Sequence, residues 1–189
     1  YATSIATFVV AVSAPFLGAL GDFKGMKKRL FTVFLLVGVI FTLVMAITDN
    51  PILMLVGYGL SYIGFAGGNL FYDSFLTDVS EKENMDKVSA YGFAMGYFGG
   101  STIAFLISIA LIMFGKHIGI DNTLAVKLSV VLTSLWWLVF SIPMLKNVKQ
   151  VHYVDTPKSE LFSGALRNLK DTVKSIFRDK RMLIFIIAY

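Results

Sequence analysis

Five long apolar stretches divide the chain, and most charged residues gather in the connections between them. A run of about 20 apolar residues, at 1.5 Å per helical residue, matches a bilayer core about 30 Å thick. The pattern predicts an all-α, polytopic transmembrane helix bundle over residues 1–145. The predicted spans cover about 3–21, 30–48, 51–76, 88–114 and 124–145.

A further apolar run occupies residues 182–189 and is too short to cross a bilayer. The chain also begins with Tyr1 rather than methionine, inside an apolar stretch. We therefore expect a fragment in which residues 182–189 start another transmembrane helix. Cysteine is absent, which excludes disulfides and thiolate metal sites, and no metal or cofactor is expected.

Basic residues predict the orientation of the spans. If the connections alternate between two sides, fifteen of the 17 basic residues fall on one side, and only Lys116 and Lys127 on the other. Cytoplasmic loops carry the Lys/Arg excess, so the side with fifteen is predicted to be cytoplasmic. Membrane topology thus explains the net charge of +5, and no nucleic-acid partner is expected. The 13 lysines against 4 arginines favour a bacterial plasma membrane. An organelle membrane such as the vacuolar one is the alternative.

The span 51–76 has distinct faces when successive residues are rotated by 100°. One face is polar and predicts a substrate cavity, with hydrogen bonding between helices as the alternative. Its members are Tyr58, Tyr62, Asn69 and Asp73. A second face carries Gly57, Gly64 and Gly68, and the span 88–114 repeats the pattern with Gly92, Gly96 and Gly100. Small residues at this spacing predict close packing between helices in a membrane.

Residues 146–181 form a predicted cytoplasmic linker that contains an amphipathic helix at about 159–178. Its apolar residues recur at helical spacing, and basic residues occupy the other side. Such a helix is too polar to span and is expected to lie along the membrane near anionic headgroups. A target helix for a calmodulin-like protein is the alternative.

The segment 18–30 resembles the signature loop of the major facilitator superfamily, G-x-L-x-D-R-x-G-R-K-x-x-L. Gly18, Asp22, Gly25 and Lys27 match this pattern, and Lys28 and Arg29 continue its basic cluster. Phe23 and Met26 replace basic residues of the family pattern.

Two later stretches resemble the vacuolar amino-acid effluxer branch of that superfamily. Residues 71–77 are similar to its F-Y-N-A-F-L-P pattern, from which Asp73 and Thr77 depart. Residues 88–100 follow its V-S-x-x-G-F-A-x-G-Y-x-G-G pattern closely.

The resemblance implies the N-terminal half of a major-facilitator-type fold, from helix two to the start of helix seven. It implies a secondary transporter of a small polar solute, with amino-acid efflux as the leading class. A sugar or drug carrier, or a non-transporting receptor or scaffold on the same fold, is the alternative. The implied partners are the lipid bilayer, the solute with or without coupled protons or sodium, and a C-terminal half outside this sequence.

The resemblance also implies a conformational latch in the loop at 18–30. In this reading Asp22 caps a helix N-terminus in the other half of the transporter, whereas the alternative is that it balances Lys24, Lys27 and Lys28. An enzyme is not expected. His117 and His152 are predicted on opposite sides of the membrane, and Asp73 and Asp78 are poorly placed for joint acid–base catalysis.

Overall fold

The structure is a computed structural model that describes residues 1–155, 160–179, 181–182 and 184. It confirms the prediction of an all-α transmembrane bundle, because five helical segments are long and apolar enough to cross a membrane and the described residues contain no strand. These segments are Ala2–Gly21, Met26–Ile47, Pro51–Val79, Lys82–Ile118 and Asn122–Asn147.

We number the α-helices of the described residues in chain order. They are α1 (Ala2–Gly21), α2 (Met26–Ile47), α3 (Pro51–Ser74), α4 (Leu76–Val79), α5 (Met85–Met95), α6 (Ile103–Phe114), α7 (Asn122–Asn147) and α8 (Leu161–Arg178). A π-helical segment, Gly96–Thr102, joins α5 to α6. The predicted start of the amphipathic helix and all but two residues of 182–189 lie outside the described residues.

Local sequence signals set where the helices begin. Asn50 accepts hydrogen bonds from the backbone amides of Ile52 and Leu53 through its side chain, and Pro51 occupies the first helical position of α3. Asp121 caps α7 in the same way by accepting from the Leu124 amide. Both caps lie at the end of the bundle opposite the loop between α1 and α2. We call the end that carries this loop the basic end.

The helix pair α2 and α3 forms the centre of the bundle. Phe31, Leu35, Val39 and Phe71 form its buried apolar cluster, against which partly buried side chains of neighbouring helices pack. On one side α1 contacts α3, and on the other α7 contacts α2 and α6 contacts α7. The amphipathic helix α8 packs on α1. The space between α3, α7 and the α5–α6 segment is left as a groove.

One face of α2 shows why these helices suit a membrane. Val33, Leu36, Ile40 and Ile47 fall within one narrow sector of the helix and are all exposed. Such a continuous apolar surface is unusual on a soluble monomer but matches the hydrocarbon of a bilayer. Leu35 and Val39 lie about 90–130° around α2 from this sector and are buried in the core.

Candidate functional sites: a groove and a junction at the basic end

A groove of about 1310 Å³ runs between α3, α7 and the α5–α6 segment. It reaches from Val79 and Val148 at the basic end to Ile112 and Val126 toward the opposite end. Its length therefore corresponds to most of a membrane-spanning helix. The walls are mainly apolar, with a few hydroxyl, amide and carboxyl groups among them.

The polar groups on the α3 wall of the groove are Asn69 and Asp73, together with Tyr72. Asn69 and Asp73 are exposed, and neither side chain is hydrogen-bonded to any of the described residues. Asn69 lies inside α3, and Asp73 lies in its last turn, one residue before its end at Ser74. An amide or a carboxylate without partners inside a membrane is costly unless water or a ligand reaches it. The groove thus offers two polar side chains that are not hydrogen-bonded to the described residues and could contact a ligand.

Tyr58 and Tyr62 do not share that groove. The Tyr58 hydroxyl lies 3.1 Å from Thr3 Oγ1, and Tyr62 accepts a hydrogen bond of 3.4 Å from Thr7 Oγ1. These contacts join α3 to α1, as in the alternative that assigned the polar face to hydrogen bonding between helices. Both tyrosines also line a smaller cavity of about 220 Å³.

An aromatic pair separates the small cavity from the groove. Phe65 and Trp137 lie edge to face with ring centroids 6.1 Å apart, and both line both spaces. On the far side of the pair the small cavity holds Thr42 and Ser61, whose hydroxyls are 2.7 Å apart. The aromatic pair therefore divides the predicted polar face of α3. Tyr58 and Tyr62 line the small cavity, and Asn69 and Asp73 line the groove.

The glycines proposed for packing fall into two groups. Gly57 and Gly64 lie against α2: a Cβ atom on Gly64 would collide with the backbone of Gly38, and one on Gly57 would lie 3.0 Å from Met45 Cγ. Gly68 is buried, yet a Cβ there would meet no atom within 4 Å, while its neighbour Gly67 lies against the Phe34 ring.

Gly92, Gly96 and Gly100 are not packed against another described helix, so their role in helix packing stays a prediction. All three are exposed and line the groove, and a Cβ on any of them would meet no atom within 4 Å. The physical reason is that no helix of the described chain lies across the groove close enough to touch them. The small-residue ridge thus faces open space among the described residues.

The π-helical segment Gly96–Thr102 lies in the middle of this wall. In a π turn each carbonyl pairs five residues along the chain instead of four, and side chains donate to two of the carbonyls here. Trp136 Nε1 donates to the Gly99 carbonyl at 3.0 Å, and Thr102 Oγ1 donates to the Tyr97 carbonyl at 2.7 Å. Four of the seven residues are Gly or Ser, which favours a backbone that departs from regular helix.

The loop at the basic end joins α1 to α2 through Gly25, which has φ 72°. This left-handed conformation strongly favours glycine over other residues. Gly18 lies in the last turns of α1, and its carbonyl accepts a hydrogen bond from the Asp22 amide at 3.2 Å. Lys28 is half-buried and Arg29 is exposed.

Lys27 of this loop forms a buried ion pair with Asp78. Their Nζ–Oδ2 distance is 2.7 Å, and their side chains are 8% and 0% exposed. Lys27 Nζ also donates to the Ser74 carbonyl at 3.1 Å, so it ties the start of α2 to the end of α3. Phe75 lies under the ammonium group, 5.3 Å from ring centroid to Nζ.

The linker after α7 completes this arrangement, which we call the junction (residues 21–27, 74–78 and 150–155). The backbone amides of Val151 and His152 donate to Asp78 Oδ1 at 2.9 and 2.8 Å. Gln150 Nε2 donates to the Gly21 carbonyl at 2.8 Å. Val154 pairs with Phe23 in a short parallel bridge, with its amide 2.8 Å from the Asp22 carbonyl.

Two charged side chains of the junction differ in their surroundings. Partial burial raises the pKa of Asp22, although Lys27 opposes the shift. No described residue donates a hydrogen bond to the Asp22 carboxylate. Lys24 is exposed and lies 3.1 Å from Asp155, whose hydrogen bond raises the pKa of Lys24.

Among the described residues no group of three or more His, Asp and Glu side chains could hold a metal ion.

Comparison with known proteins places the chain in a family. A family model described as "Vacuole effluxer Atg22 like" matches residues 1–83 and 77–189, which together cover the whole chain. The chain belongs to this family. The resemblance drawn from the signature loop and from residues 69–100 is thereby confirmed.

Individual proteins that are similar to the chain support the same assignment. The chain is 38% identical over 193 residues to an uncharacterized MFS-type transporter, YxiO, of Bacillus subtilis, covering all of this chain and 45% of that protein. It is 25% identical over 185 residues to an uncharacterized protein of Aquifex aeolicus, covering 97% of this chain and 40% of that one.

A more distant match is autophagy-related protein 22 of Botryotinia fuckeliana, 23% identical over 125 residues, covering 59% of this chain and 21% of that protein. The chain therefore spans less than half the length of the curated relatives that it matches. No solved structure matches it. The relatives and the five apolar helices together make this an integral membrane protein of a transporter family.

Several residues of these sites escaped the sequence analysis. Asp78 pairs with backbone amides of the linker that are 73 and 74 residues later in the sequence. No local sequence pattern encodes such a distant contact. Gly38 was missed because it is a lone glycine in an apolar helix, yet a Cβ there would collide with Trp137. Lys27 was predicted as part of the loop at 18–30, but its pairing with Asp78 was not. A signal did exist for the pairing, because both are charged residues close to the ends of predicted spans.

Proposed function

We propose that the full-length protein is a secondary active transporter that moves a small polar solute by alternating access. The observation that carries the proposal is the pair Asn69 and Asp73 of the segment Pro51–Val79. Both line the wide groove, and neither side chain is hydrogen-bonded to a described residue. Ionisable residues at membrane depth are costly and typically mark substrate or ion pathways. Membership of a family described by a vacuole effluxer supports the transport role.

Amino acids are the leading solute class. The name of the family points to efflux, and the groove offers a carboxylate that can pair with an ammonium group and an amide that can accept or donate hydrogen bonds. Its apolar walls suit a side chain of modest size. Protons or sodium are the candidate coupling ions, and Asp73 is the residue at which either would act.

The loop at 18–30 supports alternating access in a second way. The junction fixes the backbone of Asp22 through Val154 but leaves its carboxylate free of hydrogen-bond donors among the described residues. We infer that this carboxylate caps a helix N-terminus of the other half of the transporter when the two halves close at the basic end, which we take as cytoplasmic. The same charge distribution supports that orientation, since the basic end carries most Lys and Arg.

A transport assay with a matched variant tests the proposal. The purified full-length protein is reconstituted in vesicles, and uptake of radiolabelled amino acids, sugars and cationic drugs is compared with empty vesicles. Asp73→Asn should lower amino-acid transport at least tenfold while leaving expression unchanged. Asp86→Asn changes an exposed carboxylate near the same end of the bundle and should leave transport unchanged.

The other outcomes are equally decisive. Uptake of sugars or drugs but not of amino acids would contradict the proposed solute class and support the proposed transport activity. In another outcome the protein binds a solute but shows no uptake with a proton or sodium gradient imposed in either direction. That result would refute transport and identify a receptor. Equal transport by wild type and Asp73→Asn would remove Asp73 from the pathway.

A further inference from the structure

The amphipathic helix α8 is only partly covered by the bundle. Leu161, Ala165 and Leu169 share one face, and Ala165 is fully buried against the apolar cluster around Ala19 and Phe23. This docked face therefore fixes α8 to the basic end of α1. A second contact, between the rings of Phe16 and Phe162 with centroids 5.2 Å apart, extends the docking toward the membrane interior.

A separate apolar arc of α8 remains exposed. At 100° per residue it lies next to the docked face and spans about 60°. Its members are Phe162 (66% exposed), Leu166 (48%), Val173 (42%) and Phe177 (69%). Exposing four large apolar side chains in one arc to water is unfavourable, so the arc is expected to have a partner outside the described chain.

The next arc of the helix is basic. Arg167, Lys170, Lys174 and Arg178 follow the apolar arc around the helix and are all exposed. None of them forms a salt bridge with a described carboxylate. Asp171 is the one acidic residue between Leu161 and Arg178, and it lies at the edge of the basic arc. The charge on this side of α8 is therefore net positive.

The docking to α1 sets the depth of both arcs. Phe16 lies five residues before Gly21, the last residue of α1, which is about 7–8 Å along the helix axis. Interfacial helices bury their apolar faces about 5–10 Å below the headgroups. The Phe16–Phe162 contact thus places the apolar arc at the boundary of the acyl chains and the basic arc at the level of the headgroups.

We propose that the exposed surface of α8 binds the bilayer itself, with the apolar arc in the acyl chains and the basic arc on the headgroups of anionic phospholipids. A protein partner would also cover apolar side chains, but the depth set by Phe16 places this surface where lipid is already present. Because α8 also packs on Phe23, lipid binding would hold the junction loop at a fixed height. The proposal does not depend on which solute, if any, is transported.

The test uses full-length protein in vesicles of phosphatidylcholine with or without phosphatidylglycerol, on a background without other cysteines. Leu166→Cys carries an environment-sensitive fluorophore into the apolar arc, and Ser175→Cys places it on the opposite side of α8. We expect blue-shifted emission from position 166, quenched by brominated lipid, and water-like emission from position 175. Brominated phosphatidylglycerol should quench position 166 more strongly than brominated phosphatidylcholine at the same mole fraction.

Charge variants then test the headgroup preference. Each basic residue near an anionic surface contributes about 1 kcal/mol, a factor of about five in local lipid binding. Lys170→Glu with Lys174→Glu should bring the two quenching values together, whereas Lys82→Glu with Lys87→Glu, exposed outside α8, should leave them apart. Water-like emission at position 166, blue-shifted emission that lipid does not quench, or equal quenching in the wild type would each overturn the proposal.

Discussion

The ion pair between Lys27 and Asp78 shows how much one buried contact can hold together. Asp78 receives Lys27 on one oxygen and two backbone amides of the linker on the other, so three segments of the chain meet at one carboxylate. Taking a charge out of water is costly, and the cost is repaid only while every partner is present. The junction is therefore expected to respond strongly to the loss of either charge.

Lys27→Met tests this dependence. The variant keeps much of the side-chain volume but leaves Asp78 buried without its counter-ion, which typically costs about 3–5 kcal/mol. We expect a clear fall in the melting temperature of the full-length protein in detergent. Lys24→Met is the matched control, because the Lys24–Asp155 pair is exposed and such pairs contribute about 0–1 kcal/mol. Equal melting of the two variants would mean that the buried pair contributes no more than a surface pair.

At the scale of the helices, the contact between α2 and α3 depends on glycine. Gly64 faces the backbone of Gly38, and Trp137 of α7 covers Gly38 from the other side. Three helices can approach here only because two side chains are absent. Where no hydrophobic force drives helices together, such close contact supplies the packing energy.

A pair of alanine variants in α3 measures that contact. Gly64→Ala forces a methyl group into the Gly38 backbone and is expected to cost about 1–3 kcal/mol, as overpacking generally does. Gly59→Ala lies in the same helix, where a Cβ meets no atom within 4 Å, and should leave melting unchanged or raise it because alanine favours helix. Thermal unfolding in detergent compares them. If Gly64→Ala melted like Gly59→Ala, the close approach of α2 and α3 would be refuted.

The helices themselves could be predicted from sequence, because long apolar runs and local caps such as Asn50 with Pro51 are encoded within a few residues. The faces of the helices could be predicted only in part. Rotation by 100° placed Tyr58 and Asp73 on one face of α3, but it could not show that Phe65 and Trp137 divide the space in front of that face. The π segment also escaped, since a widened turn depends on donors such as Trp136 from another helix.

At the scale of the whole molecule, the charges at the two ends of the bundle predict its orientation in the membrane. This orientation can be measured with single cysteines, placed at exposed positions whose side chains form no hydrogen bonds. Ile118→Cys and Asn122→Cys should react with an impermeant thiol reagent added outside intact cells, and Asn84→Cys and Lys149→Cys should react only after the cells are opened. Labelling with the sides reversed would contradict the predicted topology.

Asp22 connects the junction to the proposed movement of the whole transporter. If its carboxylate caps a helix of the other half, the contact contributes about 0.3–2 kcal/mol and exists only when the halves meet at the basic end. Asp22→Asn should then slow transport and increase the inward-open population. Folding should be unaffected, because Asp22 is exposed and its carboxylate accepts no hydrogen bond from a described residue.

The pH dependence gives the same test without a mutation. Since burial raises the pKa of Asp22, its carboxylate is protonated at a higher pH than that of an exposed aspartate, and acidification through that pKa should shift the wild type toward the inward-open state. The Asn variant should lack this shift, and Asp86→Asn should retain it. Cysteine accessibility on the two sides of the membrane measures the populations. Unaltered populations and normal transport in Asp22→Asn would leave Asp22 with no role beyond balancing the lysines of its loop.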